Sequence, residues 1–315
     1  MSRKNINGIL NIDKPANYTS MDVVRTVKRL TGAKKVGHAG TLDPLATGVL
    51  PICIGQATRL VDHMVSGGKI YQGDITLGVT TDSFDSDGNI IFTQDASRVT
   101  KSDFESVLQK FVGELEQLPP MYSAIKYQGK RLYQLARQGI DIERDPRKVK
   151  VFRLCTIDWA PPIAKIEVEC GRGFYIRALA HDIGQELQCG AHLSKLIRLK
   201  GGSFELSSSI SLTKLESLAF SDAWIDFLAP PDAGAKDLPS IVVDSNGEKM
   251  LTNGQSVSAR LSEIKTEHLE SRRVYSTDGR FLAIVRYDRP LSSWKPIKVF
   301  DLPNPSDLAP EFEAC

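Results

Sequence analysis

The clearest capacity for chemistry lies in one carboxylate and its neighbours, in the stretch Gly37 to Pro51, GHAGTLDPLATGVLP. Asp43 precedes Pro44, and a proline ring drives the residue before it out of the helical region, so the acid is expected in extended backbone. Gly37, Gly40 and Gly48 permit backbone conformations or close approaches that a β-carbon would forbid. His38, Thr41 and Thr47 surround the acid with small polar groups and bring no second carboxylate, while Leu42, Leu45, Val49 and Leu50 can pin the loop to a core. A lone Asp-Pro in a loop commonly closes an Asx turn on its own backbone. The same arrangement also suits a buried, preorganised nucleophile or base.

Other reactive side chains are spread along the chain. Tyr71 stands in KIYQGDITLGV, residues 69–79, which alternates like a half-buried strand; an isolated tyrosine there commonly packs on a sheet face. In CGRGFYIRALAHDIGQELQCGAHLSKLIRL, residues 170–199, Gly171 and Gly173 open a helix whose Ile176, Leu179, Ala180, Ile183 and Leu187 form the apolar stripe. Tyr175 and Arg177 therefore sit at its N-terminus, off the stripe. A helix N-terminus with an arginine is a natural place for a carboxylate or phosphate, and a surface ion pair is the equal alternative. Between Lys126 and Arg153, nine Lys or Arg face three acids, a balance of +6, with Tyr122, Tyr127 and Tyr133 in or beside the run. Aromatics interleaved with an excess of positive charge point to a polyanion. TDSFDSDG, residues 81–88, has the acids of a calcium loop, but the twelfth position counted from Asp82 is Thr93 where a bidentate Glu is required, so it reads as a surface turn.

Residues 37–60, GHAGTLDPLATGVLPICIGQATRL, closely resemble the catalytic motif of the tRNA pseudouridine synthase B family. The resemblance implies an α+β fold with a mixed, mainly antiparallel sheet and flanking helices, followed by a small β-rich PUA-like domain. It implies an isomerase that converts uridine 55 in the T-loop of tRNA, with Asp43 as the essential aspartate. Arg177 would pair with that aspartate, Tyr71 would stack on the target base, Tyr175 would lie near the reacting base and Leu196 would pack against it. His38 would fill the gap left by the extruded nucleotide. PPMYSAIKYQGKRLYQLARQG, residues 119–139, matches the family's mobile flap, which puts Lys126, Lys130, Arg131 and Arg137 on the RNA. Lys14-Pro15 matches a motif that there is structural, and Lys14 is given no chemistry. The resemblance implies no cofactor, no metal and no obligate protein partner, with the T-arm of tRNA as substrate and a monomer as the working form.

The elements that must hold these groups are legible in outline. GILNID, residues 8–13, reads as a strand, and Ser20 as the cap of a helix whose Val23, Val24, Val27 and Leu30 repeat at helical spacing up to Gly32. Residues 56–65 and 100–113 read as helices, and 164–169 as another strand. After Ala229-Pro230-Pro231 the punctuation changes and short strands are expected at 241–244, 274–276 and 281–287. The expected domains are residues 1–235, catalytic, with a flap at about 121–153; residues 236–300, PUA-like; and a disordered tail, 301–315, rich in Pro and acids.

Composition narrows the class without choosing a function. A chain of 315 residues, 41% apolar and 25% charged, with net charge +2, is ordinary for a soluble protein of one large domain and one small one. Cys53, Cys155, Cys170, Cys189 and Cys315 form no C-x-x-C pair, which speaks against disulfides and structural zinc. No run reaches membrane-spanning length, and a cytoplasmic location is expected. Two other functions compete: an RNA-binding or RNA-folding protein with an idle site, and a guide-RNA-dependent synthase. A metal hydrolase is remote, because His38, His63, His181, His192 and His268 show no ligand spacing.

Overall fold

A computed structural model describes residues 6–258 and 266–310. An eleven-stranded sheet forms the body, with a main path of Ile210–Ser211, Gly8–Lys14, Thr47–Ile54, Ala191–Gly201, Lys69–Leu77, Ile163–Cys170, Arg147–Ala160 and Gly113–Gln117. The pairing is antiparallel except where Gly8–Lys14 meets Ile210–Ser211 and where Thr47–Ile54 meets Ala191–Gly201. The sheet is therefore mixed and mainly antiparallel, as expected from the sequence.

Side chains alternate across a strand, and here both faces of the central strands are covered. Leu10, Ile12, Leu50 and Ile52 face one core, shared with Val23, Val24 and Val27 of helix Ser20–Thr31, Phe104 and Val107 of helix Lys101–Gln109, and Leu179 and Ile183 of helix Ile176–Glu186. Their neighbours Ile9, Val49 and Cys53 face the other way, against Phe204, Ala235, Tyr275, Phe281 and Phe300. This second cluster seats a five-stranded sheet, ordered Ser240–Val243, Ser271–Ser276, Phe281–Asp288, Ser293–Val299, Val257–Ser258, whose own core holds Val274, Val285 and a fully buried Trp294.

Several local expectations change. The first helix is capped by Thr19, not Ser20: Thr19 and Asp22 form a reciprocal capping box, and Ser20 is free to bond elsewhere. Residues 55–66 split into a 3₁₀ turn, Gly55–Leu60, and a short helix, Val61–Ser66. Helix Ser245–Thr252 had no expectation, because eight residues with one buried leucine carry almost no periodic signal. Residues 301–310, expected to be disordered, pack down: Ser306 Oγ donates to buried Asp232 at 2.6 Å, Asp301 N donates to Gln56, and Leu302 and Ala309 join the second cluster. A few anchored groups suffice to order a polar segment. Residues 311–315, with Cys315, lie outside the described residues. The four described cysteines are free thiols, and among the described residues no helix is long and apolar enough to cross a membrane.

Candidate active site

The Asp43 loop enters the sheet at its central parallel contact, and its backbone is held at nearly every step. Ala39 N donates to Pro51 O, the Ser20 hydroxyl donates to Leu42 O and accepts from Leu42 N, Ala46 N donates to Asp43 O, and Asn17 N donates to Pro44 O. Buried Lys14 adds a further anchor, with Nζ donating to Pro44 O at 3.1 Å, Tyr18 O at 2.6 Å and Pro15 O at 2.9 Å. Desolvation lowers its pKa to about 8. Gly40 and Gly48 have φ of +99° and +96°, so the left-handed backbone expected of glycine is required at both. Gly37 lies in strand Val36–His38 with open space around it and needs no such freedom.

Asp43 projects from this frame with a third of its side chain exposed, and a buried arginine stands behind it. Arg177 Nε lies 2.8 Å from Asp43 Oδ2, off the line of the N–H bond, so charge more than a directed hydrogen bond joins them. The rest of the guanidinium is committed: Nη1 donates to Ser83 O at 3.1 Å and lies 3.3 Å from Asp85 Oδ2, and Nη2 donates to Tyr122 O at 2.9 Å. A second carboxylate therefore enters the site, contrary to the reading of residues 81–88 as a surface turn. Asp85 is buried, accepts from the Ser83 hydroxyl at 2.6 Å, and has its pKa raised by desolvation against the opposing effects of Ser83 and Arg177.

Register carries Asp85 inward. Leu193 N donates to Phe84 O and Ser86 N to Leu193 O, which laces residues 84–86 to strand Ala191–Gly201. Phe84 adopts φ +66°, a sparse conformation for an aromatic residue. Its ring stacks on His181, centroids 3.9 Å apart, one helical turn beyond Arg177. Nothing local in TDSFDSDG signals this, since the acids, serines and glycine are equally the vocabulary of an exposed turn.

The other expected residues surround this pair at different depths. Tyr175 caps helix Ile176–Glu186 and is clamped by Gln117, whose amide accepts from Tyr175 N at 2.8 Å and donates to Tyr175 O at 3.0 Å. Burial raises the Tyr175 phenol above its usual range. Tyr71 and Leu196 are almost covered, and both belong to the main apolar cluster with Leu42. Leu196 lies opposite Gly73, where a β-carbon would stand 3.6 Å from its Cδ1. His38 is half-buried, its Nδ1 has no hydrogen-bond partner, and burial together with the charge of Arg198 lowers its pKa, leaving it neutral at pH 7.

The basic segment stands apart from the acid. Lys126, Lys130 and Arg131 line the hairpin Lys126–Tyr127 with Lys130–Arg131, and Arg137 follows helix Leu132–Ala136 with its guanidinium 5.5 Å over Tyr133. All four are exposed, while buried Leu132 and Leu135 anchor the segment. Its base touches the site through Tyr122 O on Arg177 and through the Ser123 side chain on Tyr175.

Comparison with known proteins decides the family. Residues 28–176 match the model described as TruB family pseudouridylate synthase (N terminal domain), and residues 177–230 the tRNA pseudouridylate synthase B C-terminal domain. The tRNA pseudouridine synthase B of Dehalococcoides mccartyi strain 195 is 43% identical over 304 residues, 96% of this chain and 100% of the relative. The chain belongs to the TruB family of pseudouridylate synthases.

Further TruB-family relatives agree along most of the sequence. The tRNA pseudouridine synthases B of Symbiobacterium thermophilum and Clostridium acetobutylicum are 45% and 43% identical over 81% and 89% of this chain, and 84% and 95% of their own. Among solved structures, a Cbf5-Nop10-Gar1 complex matches at 24% identity and TM-score 0.72, over 97% of this chain and 87% of that one. An H/ACA RNP bound to a substrate RNA containing 2′-deoxyuridine matches at 22% and 0.72, over 96% and 87%. These likenesses establish a shared TruB-type fold. Asp43 and Tyr71 fall in the first family segment, and Arg177 opens the second, so the ion pair joins the two segments in space.

Proposed function

We propose that this chain is a stand-alone, cytoplasmic, monomeric isomerase that converts uridine 55 of the tRNA T-loop to pseudouridine. Family membership supports the reaction class. The reaction breaks the bond between ribose C1′ and uracil N1, turns the base in the site, and joins C5 to C1′; the C5 proton leaves and N1 regains one, so no electrons are gained or lost.

The observation that carries the reading is the Asp43–Arg177 pair, an acid open to the cleft and held by a buried guanidinium. The adjacent guanidinium fixes the direction of the carboxylate, which a group working at C1′ requires. In this reading Tyr71 and Leu196 form the wall against which the flipped base rests, with base-aromatic stacking worth about 1–3 kcal/mol. Tyr175, held as the neutral phenol by burial, relays the C5 proton, its own O–H proton leaving as that proton arrives, and His38 occupies the space vacated in the RNA stack. Flipping costs a few kcal/mol, and contacts from Lys126, Lys130, Arg131 and Arg137 to RNA phosphates offset it. The five-stranded sheet serves as a PUA-like RNA-binding module, with the domain boundary near residues 235–236. Identities above 40% to synthases named for tRNA support the stand-alone reading over the guide-dependent one.

Tritium release from C5-labelled uridine in a T-loop transcript tests the reading, with purified protein and Asp43→Asn beside it. Release by the native chain only, with RNA binding retained by the variant, is expected. Tight RNA binding with no release by either protein would overturn it.

A further inference from the structure

Arg198 is buried beside the Asp43 loop at 1% exposure, and of the charged side chains bonded to that loop only Lys14 is covered more deeply. Among the described residues no carboxylate pairs with it. Its planar fork instead spans two main-chain carbonyls on either side of Asp43 in sequence: Nε donates to Val49 O at 2.6 Å and Nη2 to Gly40 O at 3.1 Å. The surroundings are built around it. Gly48 stands beside Arg198 in the parallel register, and a β-carbon there would lie 2.3 Å from Arg198 O; one at Gly40 would lie 3.4 Å from Nη1. Across the other strand Arg198 faces Tyr71, and its strand also carries Leu196.

We propose that Arg198 is a positioning residue for the isomerisation, fixing both flanks of the Asp43 loop against the wall formed by Tyr71 and Leu196. The assignment rests on the proposed function. Burying a guanidinium away from any acid is costly and is tolerated only where its donors are used. Two carbonyls separated by a loop are set at one distance by a rigid fork, which a lysine, with a point charge on a flexible stem, cannot reproduce. Arg198 acts through the loop and not on the nucleotide, so its loss lowers the rate of bound RNA and leaves affinity unchanged.

The test compares native protein, Arg198→Lys and Arg198→Met in single-turnover tritium release at saturating T-loop transcript, with Asp43→Asn as blank. RNA affinity, thermal melting and hydrogen exchange of the loop amides are measured alongside. A saturating rate lower by about a hundredfold in Arg198→Met and about tenfold in Arg198→Lys is expected, since a 1 Å misplacement costs about that much. Affinity should stay within about threefold, with faster exchange at the amides of Ala39 to Ala46. A native saturating rate, or a loss confined to affinity, overturns the proposal, as does failure of both variants to melt cooperatively, which would make the role fold-wide. Exchange reads the clamp whether or not the RNA reacts: loop amides as slow in Arg198→Met as in the native chain overturn the proposal, whereas silence of the native enzyme overturns only the assigned reaction.

Discussion

Arg177 and Arg198 flank the same loop and carry the same charge, yet the protein treats them oppositely. Arg177 meets two carboxylates, one buried and one open to the cleft. Arg198 meets carbonyls, and burial, with a smaller contribution from its charge, lowers the pKa of Lys14, Lys69 and His38 nearby. Lys14 and Lys69 share this bonding to carbonyls, and among the described residues each donates only to main-chain oxygens. The lesson is a division of labour. A guanidinium against carboxylates sets the aim of a reacting group, while one against carbonyls sets the shape of the chain that presents it.

Substitutions can break or sharpen this contrast. The largest effect is expected from Arg177→Met, which leaves Asp43 and Asp85 facing each other without a cation; single-turnover release should fall by about a thousandfold or more. A smaller fall than in Arg198→Met would reverse the proposed division. Asp85→Asn keeps the shape and removes one charge, and should lower the rate by about ten- to a hundredfold with RNA affinity intact. A native rate would reduce Asp85 to packing.

Lys14→Met tests the carbonyl-bonded class through stability. Unpairing buried carbonyls should cost about 1–3 kcal/mol in denaturant melts near pH 7. The sign of its pH dependence follows from a folded pKa of about 8, below the ordinary lysine value of 10.5 that the unfolded chain has. Between those values the folded chain holds fewer protons, so native stability rises with pH there. Equal slopes in native protein and Lys14→Met between pH 8 and 10 would show that Lys14 does not titrate as assigned.

Asp182, on the helix of Arg177, is the converse case, a half-buried acid with no ion-pair cation among the described residues, and desolvation raises its pKa to about 6. Its folded pKa lies above the unfolded value, so its contribution to stability is greatest at acid pH and declines as pH rises through about 4 to 6. Asp182→Asn should gain about 1–2 kcal/mol at pH 7, after allowance for partial solvent screening, and nothing below about pH 4. A gain of equal size at both pH values would mean that packing, not ionisation, is responsible.

Legibility of the site tracked how local each signal was. Asp43 announced itself through adjacent glycines and proline, and Arg177 through its place beyond a glycine-rich helix entry. Asp85 was hidden in a sequence indistinguishable from an exposed turn. Lys14 was set aside as structural, which describes its bonds to carbonyls while missing that one of them belongs to Pro44. Arg198 gave no sign, because an arginine in an alternating strand ordinarily points to solvent. The tail at 301–310 misled in the other direction, since its composition was right for disorder and a few anchors, among them a serine bonded to a buried aspartate, were enough to oppose it.

By itself the sequence determined what neighbouring residues impose on one another: an extended turn at Asp43-Pro44, left-handed glycines at Gly40 and Gly48, helix periods, capping signals and the alternation of Lys69–Leu77. Those depend on sterics and spacing over a few residues. Only the tertiary structure decided that Asp85 should be buried against Arg177 and that Arg198 should reach Gly40 and Val49. Both follow from the register of strand Ala191–Gly201 with its neighbours, and a one-residue slip there would turn Arg198 to the opposite face. Register is set by the sum of packing over the whole sheet, so no short stretch of the chain contains it.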